Sequence, residues 1–227
     1  MIIWEDEGWW EEDDLLFPCG VVIEGDGTRR VTAQPWVKEA AEWLDTASEE
    51  ELYSEKGSDH LFSLCQSELQ DKGFTPTLAK TVVYKLRGRE EVKRDVILES
   101  SQPLMPDDTY ENKTTLTPDP FGEGYLAFGT VRDGAILSMA TENPHEAEAT
   151  VIDIGVETAE GAEGLGYATS NVAALAYYLL DPGREVTYIA EEENQASHKV
   201  AEKVGFTAVS RELRLVAYRE EPLELSI

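Results

Sequence analysis

Basic residues are scarce. Lysine and arginine number 19 against 46 aspartates and glutamates, for a net charge of −27. A protein that grips nucleic acid needs a basic footprint to displace phosphate counterions, so this balance excludes a nucleic-acid partner. It also opposes docking to an anionic membrane. Cysteine is nearly absent. Cys19 and Cys65 stand far apart, and with no export signal in view they are expected as free thiols rather than a disulfide. Histidine is limited to His60, His145 and His198, without the spacing of a zinc site, so no metal is expected. Long apolar runs are missing too. The longest, residues 172–180, falls far short of the roughly 20 that span a bilayer. The start is acidic, where a secretion signal is positive and then apolar. The expectation is a soluble, cytoplasmic protein.

What remains is a chain of 227 residues, 41% hydrophobic, enough for a sizeable core in one large or two small domains. The acidic charge is spread along it. It serves solubility, or it draws in a cationic acceptor such as a polyamine, an amino sugar or a basic peptide.

Residues 1–14 mix Trp4, Trp9 and Trp10 with acidic neighbours. Tryptophans so close together pack against something: the chain's own body, or a second subunit in a homodimer. Residues 21–32 read as a β-hairpin around Gly25-Asp26-Gly27. Pro35 suits the first turn of a helix over 35–44, and Ser48-Glu49-Glu50-Glu51 resembles a capping box. Leu61, Leu64, Cys65 and Leu69 mark the apolar face of a helix over 58–70 that Gly73 ends. Residues 78–86 and 92–98 read as strands. Residues 100–120, rich in Pro, Asp, Ser and Thr, are either a linker or a loop lying over the fold. Asp133-Gly134 between strand-like runs at 125–131 and 135–140 is a strong hairpin signal.

The stretch 150–206 organises the rest. Residues 151–156 form a strand, and a loop of glycines and small residues follows, Gly161-Ala162-Glu163-Gly164-Leu165-Gly166-Tyr167-Ala168-Thr169. Leu165, Ala168, Val172, Leu175, Ala176 and Leu179 then recur three and four apart, the pattern of an amphipathic helix. Asp181-Pro182-Gly183 ends it. A second strand spans 185–190, and Asn194-Gln195-Ala196-Ser197 opens a short helix closed by Gly205. A strand feeding a glycine-rich turn that opens a helix is built to bind an anion. The first-turn amides lack partners, the helix dipole is positive there, and glycines admit the phosphates.

This order resembles the GNAT superfamily of acetyl-CoA-dependent N-acetyltransferases, over residues 125–218. The resemblance implies an α/β protein: a GNAT-like central mixed β-sheet flanked by helices, with an extended N-terminal α/β portion. It divides the chain into 1–119, on the acceptor side, and 120–227, which binds acetyl-CoA. The family's loop pattern is Arg/Gln-x-x-Gly-x-Gly/Ala. One register places Gly161 in the Arg/Gln slot, with Gly164 and Gly166 as the glycines; it is preferred because Gly164-Leu165-Gly166 runs on to Ala168. The other places Glu163 there, with Gly166 and Ala168. Neither slot holds arginine or glutamine. A carboxylate near a phosphate in wet surroundings costs on the order of 0.5–1 kcal/mol. Each charge-assisted amide hydrogen bond contributes about 1.5–3 kcal/mol, so the amides win and binding is weakened rather than lost. Lys199 and Lys203 are candidates to offset the loss.

By the same resemblance, the diphosphate rests on the amides of Gly164, Leu165, Gly166, Tyr167, Ala168 and Thr169, and the pantetheine arm pairs beside Val156. Gly155 is expected to mark a bulge there. Asn194 and Ser197 hold cofactor or order the second helix. Asp153 and Glu157 share a strand face by period two, and either could take the proton of the attacking amine. The tyrosine that many members carry as a proton donor is Ala201 here, with Tyr188 and Tyr167 as candidate substitutes. The implied activity is acetyl transfer from acetyl-CoA to a primary amine of a small molecule or peptide by direct attack. The other reading is a CoA-binding regulatory or structural module without catalysis.

Overall fold

In a computed structural model, described for residues 1–4, 15–71, 73–104, 110–114, 126–143, 149–180 and 183–219, the chain begins with strands β1 (Ile2–Trp4), β2 (Leu15–Glu24) and β3 (Arg29–Ala33). A 3₁₀ turn at Pro35–Val37 leads into helix α1 (Lys38–Thr46), followed by α2 (Glu49–Tyr53), α3 (Glu55–Asp71) and strand β4 (Thr75–Leu86). Then come β5 (Ser101–Pro103), β6 (Glu111–Asn112), β7 (Ala127–Arg132), β8 (Ala135–Glu142) and β9 (Val151–Thr158). Helix α4 (Tyr167–Leu179), β10 (Glu185–Glu191), α5 (Gln195–Val204) and β11 (Thr207–Tyr218) complete the described chain. The expected arm with Trp9 and Trp10, the expected boundary between 119 and 120, His145 and the Asp181-Pro182 stop all lie outside the described residues.

Two compact units result: Met1–Val82 with Ser210–Ile227, and Val83–Val209. The boundaries fall inside β4 and β11.

In the first unit β1 pairs in parallel with β3, β3 with β2 and β2 with β11 antiparallel. Alternation on β2 and β3 buries Cys19, Val21, Ile23, Val31 and Ala33. Against them lie Ala40, Ala41 and Leu44 of α1, and Leu61, Cys65 and Leu69 of α3 at helical spacing. The capping box forms as the sequence indicates: Ser48 accepts from the Glu51 amide, and Glu51 accepts from the Ser48 amide. Cys19 and Cys65 are free and buried; the neighbouring Cys65 thiol and burial push the Cys19 thiol well above its usual range.

The second unit holds a mixed sheet. Strands β5, β7, β8 and β9 pair antiparallel in turn, β9 pairs in parallel with β10, and β6 adds to β8 in parallel. The Asp133-Gly134 hairpin has both residues at positive φ, 50° and 78°, the backbone of a tight two-residue turn.

The segment 92–98 is not a strand. The stretch 89–98 forms 3₁₀ turns at Arg89–Glu91 and Arg94–Val96. Its cations terminate helices instead of alternating across a sheet. Arg89 Nε donates to the Tyr177 carbonyl at 2.9 Å near the end of α4, and Arg94 lies 4.8 Å from the Tyr177 ring centre. Lys93 donates its amide to the Val204 carbonyl and its Nζ to the Glu202 carbonyl at the end of α5.

Helix α4 departs from the amphipathic expectation. Residues 169–176 are buried without a break, because β5, β7, β8, β9, α5 and the 3₁₀ turn at Arg94–Val96 all pack around it. Leu165 lies before the helix and is 57% exposed. Polar residues inside such a helix need partners. The Leu98 amide donates to Ser170 Oγ at 2.8 Å. Asn171 accepts from the Ser101 and Thr130 hydroxyls and donates to the Ser138 carbonyl. Asn171→Ala strands these groups and leaves a cavity, so a loss of about 2–3 kcal/mol is expected in urea unfolding of the whole chain. A loss under ~0.5 kcal/mol would refute this network.

Candidate functional site

Parallel pairing of β9 with β10 covers Val151, Ile152 and Asp153 against Glu185, Val186 and Thr187. Beyond that row β9 continues to Thr158, and among the described residues its pairing there is with β8 alone. The two parallel strands therefore part after Asp153 and Thr187. The β8–β9 register runs through Gly155 without a shift, so the bulge expected there is not present. Gly155 has another use: a Cβ on it would meet Asn143 Oδ1 at 3.1 Å.

A cleft of about 430 Å³ opens beside the parting strands. Its walls are Val156, Glu157 and Thr158 of β9; Ala162, Glu163, Gly164 and Gly166 of the loop; Tyr167, Ala168 and Thr169 of α4; and Ala196, Lys199, Val200 and Lys203 of α5. Gly166 is the N-cap of α4, at φ +82°, and no side chain caps the helix. Helix geometry thus leaves the amides of Tyr167, Ala168 and Thr169 without intrahelical partners, at the positive end of the dipole.

Of the residues singled out from sequence, Val156, Glu157, Gly164, Gly166, Tyr167, Ala168 and Thr169 come together in this cleft. Leu165 is not in its wall. Gly161, the Arg/Gln slot of the preferred register, is not in the wall either; its amide donates to Glu163 Oε2 at 2.7 Å. Glu163, Gly166 and Ala168, the second register, all line the cleft. Asn194 caps α5, accepting from the Ser197 amide at 3.0 Å. Ser197 Oγ shares a 2.7 Å hydrogen bond with the Tyr188 hydroxyl. Neither Asn194 nor Ser197 is a wall residue.

Asp153 sits at the last paired row. Its carboxylate accepts from Asn143 Nδ2 at 2.5 Å and from Thr187 Oγ1 at 3.2 Å. Burial raises its pKa above the usual carboxylate value, and these hydrogen bonds pull the other way. Tyr188, the first β10 residue past that row, is buried, which raises its pKa and keeps the phenol protonated. Nearby, His198 is locked. Nε2 donates to the Glu192 carbonyl at 3.1 Å, which can only accept, and Nδ1 shares a 2.8 Å hydrogen bond with the Tyr84 hydroxyl. Ala201, in the slot of the family's tyrosine, is fully buried.

Asn143 escaped the sequence reading, since only the β8–β9 register brings it beside Asp153. Lys199 and Lys203 were legible as cations one helical turn apart; that both face the cleft depends on how α5 packs. Among the described residues no group of His, Cys, Asp and Glu could hold a metal ion, and no helix is long and apolar enough to cross a membrane.

The donor set suits a phosphate-bearing ligand. Glycines at positive φ flank uncapped amides, two lysines stand opposite, and the parted edge of β9 offers backbone groups to an extended arm.

No curated protein matches the chain. Solved structures with a similar fold include a GNAT-family acetyltransferase from Novosphingobium aromaticivorans, at 16% identity and TM-score 0.49, over 65% of this chain and 69% of that one. Another is a GCN5-related N-acetyltransferase-like protein from Streptococcus suis, at 20% identity and TM-score 0.46, over 73% and 69%. A GCN5-related N-acetyltransferase from Sphaerobacter thermophilus gives 14% and 0.47, over 72% and 59%. The sequence profile of the acetyltransferase (GNAT) domain matches residues 72–207, which is over half of the chain and begins well before the motif-bearing stretch 125–218. On that match, this chain belongs to the acetyltransferase (GNAT) domain family.

Proposed function

We propose that this chain is an N-acetyltransferase that moves an acetyl group from acetyl-CoA to a primary amine by direct attack. The observation that carries this reading is the parting of β9 from β10 beside the uncapped first turn of α4. Acetyl-CoA supplies an activated acyl group as a thioester. The chain's own residues hold and orient it: the amides of Gly164, Leu165, Gly166, Tyr167, Ala168 and Thr169 take the diphosphate, and the β9 edge near Val156 takes the pantetheine arm. Asp153 or Glu157 accepts the proton of the amine, which must be neutral to attack. Asn194 and Ser197 order α5, which presents Lys199 and Lys203 to the phosphates. The acceptor is a cationic small molecule or peptide, in keeping with a net charge of −27.

A second reading, a CoA-binding module without turnover, draws on Ala201, a buried methyl in place of a proton donor.

Calorimetric titration with acetyl-CoA and CoA at two salt concentrations tests the cofactor site. Micromolar binding is expected. Lys199→Gln with Lys203→Gln should weaken it roughly threefold to tenfold at low salt, and less at high salt, as exposed charges do. No binding at millimolar acetyl-CoA by the folded protein would sink both readings. CoA release with a panel of polyamines, amino sugars and basic peptides separates the two: binding without release favours the module.

A further inference from the structure

We propose that Asn143 is a positioning residue for the Asp153 carboxylate, and that Gly155 is glycine because the Asn143 amide occupies the space its side chain would need. The proposal rests on the reading of Asp153 as the proton acceptor.

The arrangement is built from two neighbouring strands. Asn143 follows the last residue of β8, and its amide donates to the Asp153 carbonyl at 2.8 Å, extending the β8–β9 ladder by one step. That bond fixes the Asn143 backbone directly beside Asp153. The side chain then reaches the carboxylate, donating from Nδ2 to Oδ2. A carboxylate only accepts, so Nδ2 faces Asp153 and Oδ1 turns the other way, toward Gly155. There it lies 3.1 Å from where a Cβ would stand. On the opposite strand Thr187 donates to the remaining oxygen, Oδ1, at 3.2 Å. The carboxylate is thus held from both neighbouring strands, at the row after which β9 and β10 part. With both oxygens engaged, it has one orientation and keeps lone pairs for a further donor. A proton acceptor needs that fixed aim.

Among the described residues, titratable groups on its own and the adjacent strands include the following. Glu185 shares the face of Thr187 on β10 and is held by Lys85 at 2.7 Å and Arg87 at 3.8 Å. Tyr188 follows Thr187 and bonds to Ser197. Glu157 lies further along β9, in the cleft wall. Burial favours the neutral acid, and Asn143 opposes it by stabilising the anion. Losing that donor therefore raises the pKa of Asp153, and the acid needs a higher pH to become a base.

Two variants test this from opposite sides. Asn143→Ala removes the donor. Gly155→Ala removes no polar group but pushes the Asn143 amide off its seat by a few tenths of an ångström. Carboxyl carbon NMR of the ligand-free full chain should show the Asp153 titration rising by about 0.5–1 pH unit in both. The acid limb of kcat/KM for acetyl transfer to an active amine should move up with it, and Asn143→Ser, which keeps a donor, should restore part of the shift. An Asp153 titration unchanged in both variants overturns the proposal. A titration that moves while the acid limb stays still supports the hold of Asn143 on Asp153 and overturns only the proton-acceptor role of Asp153. The two failures are therefore distinguishable.

Discussion

Gly166→Glu is expected to raise the Kd for acetyl-CoA by about 100-fold or more. Gly166 caps α4 at φ +82°, where an L-residue costs about 1–2 kcal/mol. Space is not the obstacle: the nearest atom to an added Cβ is Leu98 Cδ1 at 4.0 Å. The chain should therefore still fold, with a modest loss of stability. The carboxylate is a different matter. It would sit at the amides of Tyr167, Ala168 and Thr169 and take the place of a phosphate. Losing two charge-assisted hydrogen bonds at about 1.5–3 kcal/mol each corresponds to at least about 3 kcal/mol, or more than ~100-fold in Kd. Gly166→Ala provides the comparison, since it carries the backbone strain without the charge. It should cost similar stability and shift Kd less than about fivefold. Equal effects of the two variants on binding would mean that the α4 amides do not hold the diphosphate.

Gly205→Ala is expected to destabilise the protein by roughly 2–6 kcal/mol. Gly205 ends α5 at φ +116°, and a Cβ there would stand 2.2 Å from the Glu91 carbonyl oxygen. That atom is backbone, in a 3₁₀ turn held by the Lys93 bonds to Val204 and Glu202, so it cannot swing aside. Strain at the φ contributes on the order of 1–3 kcal/mol and overpacking a similar amount. Gly183→Ala, at φ +91° with nothing within 4 Å, isolates the first contribution and should cost about 1 kcal/mol. Chemical denaturation of both variants is the measurement. If Gly205→Ala costs no more than Gly183→Ala, the 3₁₀ segment does not lie against α5 as described. The result also bears on where the family's domain starts, because the matched region includes this segment.

Much of the site was legible in the order of its parts. The strand, the glycine loop, the helix after it, the second strand and Asn194-Gln195-Ala196-Ser197 are local signals, set by backbone preference at glycines and by capping chemistry. The Asp133-Gly134 turn and the Ser48 capping box were equally local, and both formed. The misreadings were of another kind. The segment 92–98 has the apolar residues of a strand, but Lys93 and Arg94 within it, and Arg89 just before it, serve the ends of α4 and α5, helices that lie far along the chain. Leu165 fits the helical period, yet the helix starts only at Tyr167 because Gly166 takes the left-handed cap. Gly155 looked like a bulge and proved to be a space for Asn143.

By itself, then, the sequence determined which elements exist between residues 150 and 206, their order, and an anion-seeking helix start at the loop. These follow from interactions between residues a few positions apart. Only the tertiary structure decided that β9 parts from β10 after Asp153, that Lys199 and Lys203 face the loop, and that Asn143 holds Asp153 across ten positions of chain. Those depend on strand register and on which side of a helix meets its neighbours. Packing of distant segments sets both, and no local pattern encodes them.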